Sequence, residues 1–271
     1  MPKLSVITIN YNNRNGLKKT IESVVDQTCK DFEYIVIDGG STDGSVDVIK
    51  EYADRINYWV SEPDKGIYNA MNKGIDVAKG EYCIFMNSGD LFYNSSVLAE
   101  IAPKLAGKDI IVGHELLSDG RIFAAPERIS LSFLYFETLR HQSSFIKTSL
   151  LKNYKYDEKY KIVSDYKFWL QTLIRGNCTY VAVKNIIAIY DTAGVSFAND
   201  VLLKEERVNA QNEVLPDCLL SDLRGFENEF YAELKKRKFH KVIYKLNVIL
   251  IRLLGLFKGK GYWINKYPFN I

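Results

Sequence analysis

Long apolar runs, paired cysteines and histidine clusters are all missing from this 271-residue sequence. No stretch reaches the ~18 uncharged apolar residues that a spanning helix needs. The nearest, LNVILIRLLGLF at 246–257, is short and carries Arg252. The N-terminal MPKLSVITINYNN is too polar, and its apolar run too short, for a signal peptide. Four cysteines, Cys29, Cys83, Cys178 and Cys218, form no C-x-x-C pair. A disulfide framework is therefore not expected and a reducing compartment is. Cys83, inside YCIFM, reads as a small buried hydrophobe. Only three histidines, 114, 141 and 240, argue against a His-rich metal site. Six prolines and 17 glycines exclude a collagen-like or low-complexity chain. No G-x-G-x-x-G, Walker A, H-E-x-x-H or G-x-S-x-G occurs, which removes four common enzyme classes.

What is present is a globular composition, 47% hydrophobic and 25% charged, in a length that allows one large domain or two small ones. The net charge of +3 conceals an asymmetry. Residues 235–271 carry eight Lys and two Arg with no Asp or Glu, leaving 26 basic and 33 acidic residues, a net of −7, in 1–234. An acidic body with a basic tail points to a membrane-surface or nucleic-acid contact.

The first ninety residues alternate strand and helix. Apolar, β-rich runs at 4–9, 32–37, 57–60 and 81–86 are separated by helical segments at about 16–28, 45–53 and 67–78, with Asn15 as N-cap of the first and Ser41 or Asp43 of the second. This spacing predicts βαβ units and a parallel sheet, whose ligands sit at strand carboxyl ends. The polar loops 10–13, 38–44 and 87–90 all fall at such ends. Further on, 110–113 and 121–123 read as strands around a turn, 164–174 as a helix capped by Ser164, and 179–183 and 186–190 as strands; the chain is helical from about 199.

Three acids stand out. Asp38 and Asp90 end strands, where a carboxylate can bind a base, a ribose or a hard divalent cation, or simply close a turn. Asp165 opens the helix SDYKFWLQ, where it complements the helix dipole or acts as a general base for an acceptor hydroxyl. Phe168, Trp169 and Leu173 read as that helix's core face.

Taken in order, SVITINYNN, Gln27-Thr28, VIDGGSTDGS, SEPDKGIYNAMNKGIDVAKGEY, FMNSGD, HQSSF and SDYKFWLQ resemble the blocks of the family 2 glycosyltransferases, in particular the bacterial branch acting on capsule, exopolysaccharide or O-antigen. The resemblance covers about 1–175. It implies the GT-A fold, a Rossmann-like, mostly parallel central sheet flanked by helices, here with a helical C-terminal extension. The organisation expected is a nucleotide-sugar half over 1–110, an acceptor half over 111–225 and a tail over 226–271. The donor would meet Thr8, Ile9, Tyr11, Asp38, Asp64, Lys65, Asn87 and Ser88. Asp90 would bind Mg²⁺ or Mn²⁺, and Asp165 would be the base of an inverting transfer. His141 and Gln142 would touch acceptor or diphosphate, with His141 also open to a metal-ligand role or to a purely structural, hydrogen-bonded one. UDP is the nucleotide the resemblance favours.

Two departures matter. Asn87 and Gly89 replace acids that the family often carries, which throws the metal onto Asp90, diphosphate and water. Ala70-Met71-Asn72 lacks an arginine common in the family, leaving Lys65 or Lys73 to meet the phosphates. The basic tail, with Tyr262, Trp263 and Tyr267 near its end, suits a bilayer interface better than nucleic acid, because aliphatics dominate it. The resulting expectation is a peripheral enzyme on the cytoplasmic face of the plasma membrane, extending a polyprenyl-linked glycan. A polyprenyl-phosphate glycosyltransferase, a sugar nucleotidyltransferase and a non-catalytic sugar-nucleotide-binding subunit are the rivals.

Overall fold

The computed structural model describes residues 1–105, 107–191 and 200–236, with the side chains of the last helix described to Glu227. The basic tail beyond 236 lies outside the described residues.

The strands are β1 (Leu4–Asn10), β2 (Phe32–Asp38), β3 (Tyr58–Ser61), β4 (Tyr82–Phe85), β5 (Leu91–Phe92), β6 (Ile110–Leu117), β7 (Ile122–Phe123), β8 (Ser144–Lys147) and β9 (Tyr180–Tyr190). The helices are α1 (Arg14–Val25), α2 (Ser45–Glu51), α3 (Ile67–Val77), α4 (Val97–Ile101), α5 (Leu131–Phe136), α6 (Thr148–Tyr154), α7 (Ser164–Trp169), α8 (Asp200–Val214) and α9 (Asp217–Lys236). Nine strands form one sheet in the order β3-β2-β1-β4-β8-β6-β9-β5, with β7 paired to β6.

The parallel order expected from the sequence holds for β3-β2-β1-β4. Beyond β4 the sheet is mixed. β8 is antiparallel to both β4 and β6, β9 is parallel to β6, and β5 is antiparallel to β9. Strand direction then decides what meets at one edge. The carboxyl ends of β1, β2, β4, β6 and β9 share it with the amino ends of β8 and β5. His141 and Gln142 directly precede β8, and Asp90 directly precedes β5, so all three arrive at the edge where Asp38 ends β2.

Alternation along β1 builds two cores. Leu4 and Val6 pack with Leu17, Ile21 and Val24 of α1 and Val48 and Ile49 of α2. Ile7 and Ile9 face the other way, onto Met71 and Ile75 of α3 and Phe168 and Trp169 of α7. Cys83 is buried, and all four cysteines are free.

Local details differ from the sequence reading. Asn13, not Asn15, caps α1, its side chain accepting the Gly16 N–H. Ser164 does not cap α7: its hydroxyl is buried without a partner, and Asp165 accepts the Tyr166 N–H instead. The helix after Trp169 continues as a π-turn, Leu170–Arg175. The two strands expected over 179–190 are one strand whose pairing with β6 shifts register around His114. Residue 226 falls inside α9 rather than at a boundary.

Candidate functional site

Asp38 is fully buried where β2 ends. Its carboxylate accepts hydrogen bonds from Asn10 Nδ2 (2.7 Å), the Ser41 hydroxyl (2.6 Å), the Ser61 hydroxyl (2.6 Å), and the Gly40 and Ser41 N–H groups. Burial pushes its pKa up, but the hydrogen bonds from Ser41, Ser61 and Asn10 outweigh burial and hold it below the usual carboxylate range. A nucleotide base reaching this carboxylate must displace one of those donors.

Tyr11 and Asp64 meet over Gly39. A Cβ there would lie 2.4 Å from an Asp64 carboxylate oxygen and 3.2 Å from the Tyr11 ring, so any larger residue would push Asp64 aside. Tyr11 is exposed, whereas Ile9 is buried and Thr8 turns into the core to bond Tyr34 at 3.0 Å. Of the two candidate phosphate lysines, Lys73 is paired with Glu62 at 2.7 Å, while Lys65 is exposed.

Residues 87–90 are pinned from below by α1. Thr20 accepts the Gly89 N–H and donates to the Asp90 carbonyl, and Asn13 Nδ2 donates to the Ser88 carbonyl. Ser88 N–H in turn bonds the Ile9 carbonyl. Asp90 is buried, with one donor on each oxygen: Gln142 Nε2 (3.2 Å) and the Asp191 N–H (3.0 Å). Burial is the main reason its pKa rises to about 6. The Asp191 carboxylate lies over Gly89, 2.9 Å from where a Cβ would stand.

His141 joins this loop to the acceptor side. Its Nε2 is 3.0 Å from Asn87 Nδ2, and its Nδ1 is 3.0 Å from Asp165 Oδ2. With the Asn87 amide donating to Nε2, the ring proton sits on Nδ1 and is given to Asp165. The other oxygen of Asp165 accepts from Tyr166 N–H and lies 3.1 Å from the Tyr68 hydroxyl, which also bonds the Ile162 carbonyl at 2.6 Å. Burial, then the charge of Asp165, pushes the Tyr68 phenol well above its ordinary pKa, so it stays protonated.

Behind these groups sits Glu115 of β6. Both its oxygens are buried without a hydrogen-bond partner, and Arg140 Nε is 3.9 Å away. Burial raises its pKa to about 7, against the pull of Arg140 and with a push from Asp90. Glu115, Asn13, Thr20, Tyr68 and Asp191 are absent from the sequence-based site. An acid inside the apolar run IIVGHELL was the one visible signal for Glu115.

Among the described residues no group of three or more His, Cys, Asp or Glu is arranged to hold a metal. The donor set nevertheless fits a hard divalent cation. Asp90 has one hydrogen bond per oxygen, and the Asn87 amide oxygen is buried without a partner. Two such oxygens leave the remaining positions to phosphate and water, as Mg²⁺ prefers.

Residues 5–159 match the family model described as Glycosyl transferase family 2. An uncharacterized glycosyltransferase of Mycobacterium tuberculosis (MT1564) is 34% identical over 207 residues, covering 72% of this chain and 77% of that protein. The fold is shared with Staphylococcus aureus TarS 1–349 in complex with UDP-GlcNAc: TM-score 0.66, 19% identity, 78% of this chain and 65% of that one. It is also shared with the mannosyltransferase PcManGT of Pyrobaculum calidifontis in complex with GDP-Man and Mn²⁺: TM-score 0.56, 16% identity, 70% of this chain and 56% of that one.

Proposed function

The chain belongs to glycosyl transferase family 2, and on that premise we propose an inverting enzyme that moves a sugar from a nucleotide diphosphate sugar to a glycan hydroxyl. UDP is the expected nucleotide, and the acceptor is a polyprenyl-linked glycan of the cell surface. The observation that carries this reading is the convergence, on one sheet edge, of Tyr11, Asp38, Asp64, Asn87 and Asp90 with the His141–Asp165 pair. That TarS was crystallised with UDP-GlcNAc and PcManGT with GDP-Man supports a nucleotide-sugar donor.

The residues divide the work. The 38–41 loop, Tyr11 and Asp64 form the wall for the nucleotide, and exposed Lys65 is the cation for its phosphates. Asn87 and Asp90 would hold Mg²⁺ or Mn²⁺, which would supply Lewis-acid neutralisation of the departing diphosphate. Asp165 takes the proton of the acceptor hydroxyl. His141 fixes the carboxylate by donating from Nδ1, so one oxygen is oriented before the acceptor arrives. An acceptor oxygen activated in this way displaces the nucleotide directly, which inverts the anomeric carbon.

Location follows from the tail. Ten cations without an acid in 235–271, interleaved with aliphatics, suit an anionic leaflet. Among the described residues no helix is long and apolar enough to cross a membrane. The full chain should therefore float with vesicles of anionic lipid, and a chain ending at 236 should not.

The functional test is a thermal-shift panel of UDP-, GDP- and CMP-sugars with Mn²⁺ or with chelator. One nucleotide class should stabilise the protein only with metal, and Asp90→Asn should abolish that shift. Asp165→Asn should keep the shift and lose transfer. Turnover unchanged in Asp165→Asn, or product retaining the donor's anomeric configuration, refutes the mechanism.

A further inference from the structure

His141 and Asp165 come from different segments, 24 residues apart: His141 opens the turn that leads into β8, and Asp165 lies on a short helix outside the sheet. His141 follows the irregular stretch after α5. Asp165 follows a loop that enters the one and a half turns of α7 without a side-chain cap. β8 anchors His141 from its C-terminal side only, so the stretch entering His141 and the loop entering Asp165 are left for other elements to hold.

Helix α8 does so with three residues. Glu206, nearly buried, aims its carboxylate at the loop before Asp165. Its oxygens accept the N–H groups of Lys161 (2.8 Å), Ile162 (2.9 Å) and Val163 (3.3 Å). The Ile162 carbonyl takes the Tyr68 hydroxyl, which touches Asp165, so that peptide is fixed from both sides. Next along the helix, Arg207 holds the stretch before His141. Its Nη2 donates to the carbonyl of Glu137 at 2.6 Å and lies 3.2 Å from that of Tyr135. The same guanidinium lies over the Tyr166 ring, 4.2 Å from its centroid. One turn later, Gln211 Nε2 bridges the two segments, reaching the Tyr135 carbonyl (3.1 Å) and the Tyr166 hydroxyl (2.9 Å).

Three loop N–H groups converging on one carboxylate exceed what packing α8 requires; a leucine would bury the helix as well. The loop's donors are satisfied only when the Glu206 carboxyl is in place. We propose that Glu206 and Arg207 are positioning residues for the His141–Asp165 pair, so that α8 is a working part of the acceptor half rather than an appendage. This inference rests on Asp165 being the proton acceptor in transfer, but the geometric part does not.

The test uses the full chain and the variants Glu206→Gln, Arg207→Lys and, as a control, Glu205→Gln, whose site is exposed on the same helix. Glutamine keeps the shape of Glu206 but can accept through one oxygen only. The first readout needs no substrate: the ¹⁵N and ring-proton NMR signals of His141, assigned with His141→Gln. Wild type and Glu205→Gln should show one Nδ1–H tautomer with a hydrogen-bonded proton. Glu206→Gln and Arg207→Lys should lose or broaden that proton signal. The second readout is kinetic. Misplacing a reacting group by about 1 Å costs on the order of 100-fold, so kcat should fall roughly 10- to 100-fold in Glu206→Gln, with donor KM unchanged. If Glu206→Gln does not fold, Arg207→Lys carries both readouts. Folded variants with an unaltered His141 signal overturn the proposal. An altered signal with unaltered kcat shows instead that Asp165 is not the base, which refutes the mechanism and leaves the clamp standing.

Discussion

Replacing Glu115 by Gln should stabilise this protein at high pH and not at low pH. The carboxyl is buried, its two oxygens lack hydrogen bonds, and Arg140 reaches only to 3.9 Å. Burial lifts its pKa from 4.5 to about 7. At roughly 1.4 kcal/mol per unit, the ionised form costs the fold about 3 kcal/mol. Below the unfolded pKa both states are protonated and the cost is absent. It grows as pH rises from 4.5 and is complete above about 7. Glutamine carries no charge at any pH, but it gives up the attraction of Arg140. The expected difference in unfolding free energy, variant minus wild type, is therefore near zero at about pH 5 and roughly +2 kcal/mol at about pH 8.5. Urea denaturation followed by circular dichroism at several pH values measures it. A difference that stays flat with pH, or that turns against the variant as pH rises, refutes the assignment of Glu115 as an uncompensated buried acid.

Other expectations follow from local geometry. Asp38→Asn should lose about 1–3 kcal/mol near neutral pH, because its amide nitrogen would face donors. Since the native pKa of Asp38 is depressed, that penalty should shrink as pH falls below its ordinary value of 3.8. Gly80→Ala should be destabilising, since a Cβ there meets the Leu4 and Ser5 backbone at 2.5 Å. Gly74→Ala should cost less, because the obstacle is the Ile7 side chain; both fall in the range of about 1–3 kcal/mol for overpacking. Gly225→Ala, in α9 with open space around it, should instead raise stability by about 0.5–1 kcal/mol. Thermal melts of the three variants give the order directly.

What could be read from the sequence was what is local. The runs that became β1, β2 and β4 carry their own signature, apolar residues ended by Asn, Asp and Gly, so the sheet edge that carries Asp38 and Asp90 was visible. β8 was not, because SFIK is short and its place between β4 and β6 depends on pairings more than sixty residues away on one side. Without the direction of β8, His141 had no address, and its partnership with Asp165 had none either. The caps failed for a different reason. Asn13 and Asn15, or Ser164 and Asp165, are equivalent candidates by composition, and only the entry angle of the chain decides between them. Glu206 was unreadable, since it reaches across 43 to 45 residues to bare N–H groups that have no sequence pattern.

The acids at this edge are separated by environment more than by position. Among the described residues, Asp38 has five protein donors and a depressed pKa, Asp90 two donors and a pKa of about 6, Glu115 none and about 7. A carboxylate saturated by its own loop cannot gain much from a cation, whereas one desolvated with few donors gains the most. The order of unmet hydrogen bonding therefore assigns Asp38 to shaping the 39–41 loop that a nucleotide would touch. In the proposed mechanism the divalent ion would sit at Asp90, whose loop faces the phosphates, with Glu115 as a buried negative charge behind it. A cation entering beside Asp90 should lower the pKa of both Asp90 and Glu115. Mn²⁺ binding should then release up to about one proton per site near pH 6.5, most of it from Glu115, measurable by calorimetry in buffers of different ionisation enthalpy. In Glu115→Gln the release should drop toward that of Asp90 alone. Equal release in the two proteins would mean that Glu115 does not sense the metal loop.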